Sequence, residues 1–225
     1  MDAIKLSPSE LTFLWDECPR CFYLKVTGRL SRPSTAFPSI FSSIDRAMKN
    51  HYRDRSVQEL SPDLPPGKFF FSEQFIVSQP VTHPGFDLPV YFAGKFDALL
   101  EFDNGDFGIV DFKTSEAKEA HIAFYARQLE AYAYCLEHPL SGKLGRSPIT
   151  HLGLAYYSPH TMKFAEDGEL ALHGHFGWQP LQRDEGAFLN FMDGVIEVLA
   201  QPAPPQAALD CKFCQYRDLA RGTGL

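Results

Sequence analysis

Apolar positions recur along this chain in two rhythms, and the switches between them divide it into elements. Ser7-Pro8-Ser9-Glu10 predicts a helix start: Ser7 caps, Pro8 suits the first helical position, and Glu10 completes a capping box. Leu11, Leu14 and Trp15 supply that helix's apolar face, which runs into Cys18-Pro19-Arg20-Cys21. Pro33 and Pro38 mark a loop, and a second helix is expected over about 39–53. Pro62, Pro65, Pro66 and Gly67 break the chain again. Short runs rich in Val, Ile and Phe then predict strands over 68–77, 90–100 and 107–113, with a Pro- and Gly-rich loop over 79–89. The longest helix is expected over 118–137, where alanines and leucines run without Pro or Gly until His138-Pro139. Strands over about 150–158 and 169–178 and a helix over about 181–200 follow, and Pro202, Pro204 and Pro205 stop the last. This order gives an α/β fold: a mixed sheet flanked by helices.

Chemistry concentrates at the end of the strand over 107–113. A strand sends alternate side chains to one face, so Asp111 and Lys113 emerge together and Phe112 points the other way. Fourteen residues upstream lies Asp97, and between them Asp103-Asn104-Gly105-Asp106 reads as a hairpin turn. The two strands are therefore expected to be adjacent and antiparallel, with both carboxylates close. Such a pair repels unless a cation sits between its members. A divalent metal there would polarise a phosphate and acidify a bound water. Gln128 and Tyr132 lie four apart on the long helix and share a face that could turn toward this edge. Glu116, Glu119 and Glu130 read as solvated helix charges.

Gly94-Lys95-Phe96-Asp97, then Val110-Asp111-Phe112-Lys113-Thr114, then Gln128-Leu129-Glu130-Ala131-Tyr132, resembles the PD-(D/E)XK nuclease superfamily. The nearest branch is the RecB-like nucleases, including the CRISPR-associated exonucleases that carry an iron–sulfur cluster. The resemblance implies a restriction-endonuclease-like fold in one domain over 1–225, with a core over about 39–178 and cysteine-bearing segments over 1–38 and 179–225. It implies a metal-dependent DNA nuclease, an exonuclease on single-stranded ends, serving repair, recombination or CRISPR-type defence. It also implies Mg²⁺ or Mn²⁺ held by Asp97, Asp111 and the Phe112 carbonyl. Lys113 would orient the attacking water, and Gln128 and Tyr132 would organise the site. Related nucleases carry a metal-binding histidine on the helix before the sheet. Asp45 stands in its place here, although Asp45 also suits a surface pair with Lys49 at i+4.

Charge complicates this picture. The net charge of −7 disfavours phosphate binding. Residues 20–55, however, hold eight Lys and Arg against Asp45 and Asp54, a local +6 that leaves −13 for the remainder. Arg29, Arg32 and Arg53 are the expected nucleic-acid contacts in that stretch. At 225 residues, 44% hydrophobic and 22% charged, the chain suits one large or two small globular domains. A cytoplasmic location is expected, since no apolar run approaches a membrane span and the N-terminus lacks a secretory pattern. No ATP-binding Gly-x-x-x-x-Gly-Lys-Ser/Thr is present, so any helicase or other repair or defence partner would act in trans.

Cys18-x-x-Cys21 and Cys211-x-x-Cys214 form a second constellation, able to grip one tetrahedral metal from two turns. In the iron–sulfur nucleases one N-terminal cysteine joins three near the C-terminus. Here Ala220 stands about where the third would be, and Cys21 is extra, so iron–sulfur and Zn²⁺ both remain open. Cys135 reads as a buried core thiol. Two other functions stay open at this point. One is a nuclease-fold module that binds nucleic acid or recruits partners with little catalysis. The other is a redox- or metal-responsive protein built on the four cysteines.

Overall fold

The structure is a computed structural model describing residues 3–34, 38–71, 75–116, 119–164 and 168–223. Among these residues the strands form two sheets. In the larger, β2 (Gly67–Phe70), β6 (Ala98–Phe102), β7 (Phe107–Lys113), β8 (Ile149–Phe164) and β9 (Leu170–Leu181) lie side by side in that order. The smaller is built on β5 (Phe86–Gly94), which pairs parallel with β1 (Ile4–Leu6) and antiparallel with β3 (Ile76–Val77) and β4 (Val81–His83). The mixed sheet and its helices make a restriction-endonuclease-like fold.

The Asn104-Gly105 turn joins β6 to β7 as the sequence predicts, with Gly105 at φ +91°, a conformation open to glycine. The register sets Ala98 opposite Val110, so Asp97 stands beside Asp111 just where β6 begins. From β7 the chain crosses through α4 (Glu119–Glu137) and returns as β8, parallel to β7. Alternation along β6 and β7 feeds two cores. Leu99 and Ile109 pack under α4 and α5 (Glu185–Leu199), while Leu100, Val110 and Phe112 pack under Met48 and Tyr52 of α3 (Ser39–Tyr52). Cys135 is fully buried in the first core, as expected. Among the described residues, no helix is long and apolar enough to cross a membrane.

Several expectations need correction. The single N-terminal helix is a 3-10 turn (Pro8–Leu11), then α1 (Phe13–Glu17) and α2 (Pro19–Val26), because Pro19 restarts the helix at a new angle. The expected strand over 68–77 is two strands in different sheets, and its residues 72–74 lie outside the described residues. Likewise the strand over 90–100 is β5 and β6, interrupted at Lys95-Phe96-Asp97. The expected loop over 79–89 contains β4 and the start of β5. Lys118, the expected start of the long helix, is also outside the described residues. Strands β8 and β9 run well past their expected ends. Pro159 does not stop β8, because the ladder shifts register between Pro159 and Thr161 and so spares the missing donor. Leu181 belongs to β9, and α5 begins only after Asp184, whose Oδ1 accepts the Ala187 N–H at 2.8 Å. The tail forms a further helix, α6 (Lys212–Gly222), that the pattern does not predict.

Glu130 is also not a solvated charge. It is 4% exposed. Its Oε1 accepts the Asp184 N–H at 2.7 Å, and its Oε2 accepts Arg183 Nη2 at 3.2 Å. Arg183 also donates to Glu137 Oε2 and to the Ile149 carbonyl, tying α4 to β8 and to the start of α5. Glu130→Ala leaves a half-buried guanidinium and a backbone donor short of partners. We expect a loss of about 3–5 kcal/mol in urea unfolding, with divalent-metal affinity unchanged.

Candidate active site and cysteine centre

Phe41, Ser42, Asp45 and Lys49 of α3, Asp97, Asp111 to Ser115, and Tyr125, Gln128 and Tyr132 of α4 line one cavity of about 550 Å³. All seven residues expected at the hydrolytic centre, Asp45, Asp97, Asp111, Phe112, Lys113, Gln128 and Tyr132, are thus brought together from four separate stretches. The reason lies in the break between β5 and β6. Because β6 starts only at Ala98, the side of β7 away from β8 has no strand paired to it beyond Val110 among the described residues. The Asp97 carboxylate fills that gap, its Oδ2 accepting the Phe112 N–H at 2.8 Å. A strand residue turns its N–H and C=O to the same side, so the Phe112 carbonyl faces the same gap.

Asp111 is 4% exposed, and burial, reinforced by the charge of Asp97, pushes its carboxyl up to about 6 against the pull of Lys113 and Lys49. Its Oδ2 is sealed from solvent and pressed against the Lys113 ammonium in a buried ion pair. Asp97 and Asp111 still repel one another across this edge, and a hard cation held between them would offset that repulsion. Burial pulls the Lys113 ammonium down, but the charge of Asp111 and then its bond outweigh burial and hold Lys113 above its ordinary value. Lys113 also lies over the Tyr125 ring, 4.7 Å from its centroid. Burial pushes the Tyr132 hydroxyl well up, so it remains a proton-bearing donor at neutral pH.

Sequence reasoning underrated Lys49. Its Nζ lies 2.7 Å from Asp97 Oδ1 and 3.0 Å from Asp45 Oδ2, so one ammonium bridges two carboxylates. Burial works against that charge, and Asp97 and then Asp45 overcome it. The i+4 spacing to Asp45 was legible in the sequence; the contact with Asp97, from another element, was not. Tyr125, three residues before Gln128 on the same helix, could have been found from spacing.

The expected nucleic-acid residues do not line this cavity. The Arg29 guanidinium lies over Tyr23 and that of Arg53 over Phe71. Arg32 pairs with Glu17, stacks 4.6 Å from the Phe213 ring centroid, and reaches the cysteines, its Nη2 3.8 Å from Cys211 Sγ. Cys18, Cys21, Cys211 and Cys214 are all buried and gathered in one cluster. Arg217, which the sequence reading overlooked, donates to Cys214 Sγ at 2.8 Å.

A strand-edge pair of carboxylates with a lysine two residues beyond the second, in a restriction-endonuclease-like fold, defines the class as nuclease-type. The family model of the PD-(D/E)XK nuclease superfamily matches residues 65–219, and the chain belongs to that superfamily. Membership implies a metal-dependent, phosphodiester-hydrolysing nuclease with DNA as substrate. No curated protein matches the chain. Among solved structures, "Crystal structure of SSO0001" is similar over 97% of this chain and 86% of its own, at 15% identity and a TM-score of 0.46. That likeness is too distant to inform the site.

Proposed function

We propose that this protein is a DNA exonuclease of the RecB-like branch, a single nuclease domain over 1–225 that cuts single-stranded ends in the cytoplasm during repair, recombination or CRISPR-type defence. The observation that carries the reading is the single cavity holding Asp45, Asp97, Asp111, Phe112, Lys113, Gln128 and Tyr132, with the acceptor Asp111 Oδ2 at its buried end. Asp97, Asp111, the Phe112 carbonyl and Asp45 offer hard oxygen donors of the kind Mg²⁺ or Mn²⁺ takes. When bound, such an ion polarises the phosphate and lowers the pKa of a coordinated water.

The chain's own residues supply the rest. Lys113 keeps its proton beside Asp111 and so serves as a donor, orienting the attacking water and offsetting charge on the phosphate, not as a base. Tyr132 and Gln128 donate toward a phosphate oxygen. Water adds to phosphorus, the ester P–O bond breaks, and the departing oxygen takes a proton, giving a phosphomonoester and an alcohol. Arg29 and Arg53 remain the proposed backbone contacts.

Labelled single- and double-stranded DNA, linear and circular, incubated with Mg²⁺ or Mn²⁺ and with chelator, tests the reading. Progressive shortening of linear single strands is expected. Cutting of circles makes the enzyme an endonuclease, and no metal-dependent cleavage of any substrate overturns catalysis.

Lys49 leads to a further expectation. An entering cation must compete with its ammonium for Asp97 and Asp45. Lys49→Met should therefore tighten Mn²⁺ binding by about tenfold in calorimetric titration, a change of about 1.4 kcal/mol. Unchanged or weaker binding would mean that Lys49 does not occupy the cation's place.

A further inference from the structure

The iron–sulfur nucleases this chain resembles hold a four-iron cluster on their cysteines. The four thiols here do not fit one. Cys18 and Cys214 Sγ are 3.8 Å apart, Cys21 and Cys211 3.6 Å, and Cys21 and Cys214 3.6 Å. All four sulfurs lie within 4.8 Å of one another. One zinc with bonds of about 2.3 Å in tetrahedral array spaces its thiolates about 3.8 Å apart. In a four-iron cluster each thiolate sits on its own iron, pointing away from a cube of irons and sulfides. Such thiolates stand farther apart than two metal–sulfur bonds end to end, about 4.6 Å. The space among these four sulfurs has room for one atom.

The backbone repeats the same device twice. Cys18 is the N-cap of α2 and Cys21 its third residue; Cys211 is the N-cap of α6 and Cys214 its third residue. Each helix thus presents two sulfurs at its positive end, which favours thiolates. Four thiolates on Zn²⁺ carry −2. Two guanidiniums balance it: Arg217 Nη2 lies 2.8 Å from Cys214 Sγ and 3.4 Å from Cys21 Sγ, and Arg32 Nη2 lies 3.8 Å from Cys211 Sγ. The cysteines are between 0% and 6% exposed, which leaves no open position for water or substrate. A closed four-cysteine set is the mark of a structural metal, not a catalytic one.

We propose that Cys18, Cys21, Cys211 and Cys214 form a structural, redox-inert Zn²⁺ site, neutralised by Arg32 and Arg217, where the related nucleases carry an iron–sulfur cluster. The full chain, produced with zinc and iron both supplied and purified anaerobically, should contain one zinc, no acid-labile sulfide and no brown colour. Stoichiometric iron with labile sulfide overturns the proposal. A host can load the wrong metal, so the metal should also be stripped and the protein offered Co²⁺, or Fe³⁺ with sulfide and a thiol reductant, without oxygen. Co²⁺ should bind one per chain and give the intense visible bands of a tetrahedral tetrathiolate, lost in Cys21→Ser. A brown cluster from iron and sulfide, or no cobalt uptake, overturns it. None of these readouts involves DNA cleavage, so the zinc site and the nuclease reading stand or fall separately.

Discussion

Asp111→Asn should abolish metal-dependent cleavage, by on the order of a thousandfold, in a protein that still folds. The amide keeps the shape of the carboxylate but loses its charge and is a poor ligand for a hard cation. Several kcal/mol of transition-state stabilisation go with the metal, and each 1.36 kcal/mol is tenfold in rate. The fold should survive, because Lys113 keeps the Tyr125 ring and the charge of Asp97 nearby. Rates with saturating Mg²⁺ and with chelator, alongside thermal denaturation of the metal-free protein, give both halves of the result. Cleavage at the wild-type rate by a folded Asp111→Asn protein would remove Asp111 from the reaction. An unfolded variant would show that Asp111 holds the sheet edge together, against the geometry described above.

The parts of this site legible in the sequence are the local ones. Asp97 and Asp111 were predictable as neighbours because a tight hairpin joins their strands; its loop is Asp103-Asn104-Gly105, and that three-residue length sets Asp97 opposite Asp111. Asp111 and Lys113 share a face because strand periodicity allows nothing else. The position of α3 came from resemblance, and no pattern in residues 39–53 says that Asp45 and Lys49 reach β7. Lys49 and Glu130 were misjudged for one reason. Each meets its decisive partner, Asp97 or Arg183, about fifty residues away in sequence, so spacing along their own helices cannot reveal it. The helix α6 was missed because it is short and mostly polar, and its few apolar side chains, Tyr216 and Leu219 among them, stay exposed instead of facing a core. Strand β1 is three residues long and borrows its order from β5.

Cys214→Ala should release the metal centre and loosen both ends of the chain, unequally. Leu209, Tyr216 and Leu219 are 97%, 73% and 71% exposed, so apolar packing does little to hold α6. Its anchor is the cysteine cluster, with Phe213, Ala207 and Ala208 beside it. Upstream the chain is tied at Gln201, whose carbonyl accepts the Tyr23 hydroxyl at 2.9 Å. The N-terminal side divides at Cys21. No residue of α1 is fully buried, and Cys18 closes the α1–α2 turn through its N–H to Leu14. Beyond it, Phe22 and Tyr23 are set in the main core and need no metal. Metal binding should therefore be coupled to the order of α6 and of the α1–α2 turn, about two hundred residues apart in sequence, and not to α2 as a whole. Hydrogen exchange on Cys214→Ala should show amides of α6 and of residues 14–18 exchanging on the order of a hundredfold faster, as local opening no longer has to break the centre. Amides of residues 23–26 should keep their protection. Faster exchange in α6 alone, with 14–18 unchanged, would show that the two cysteine pairs do not share a metal.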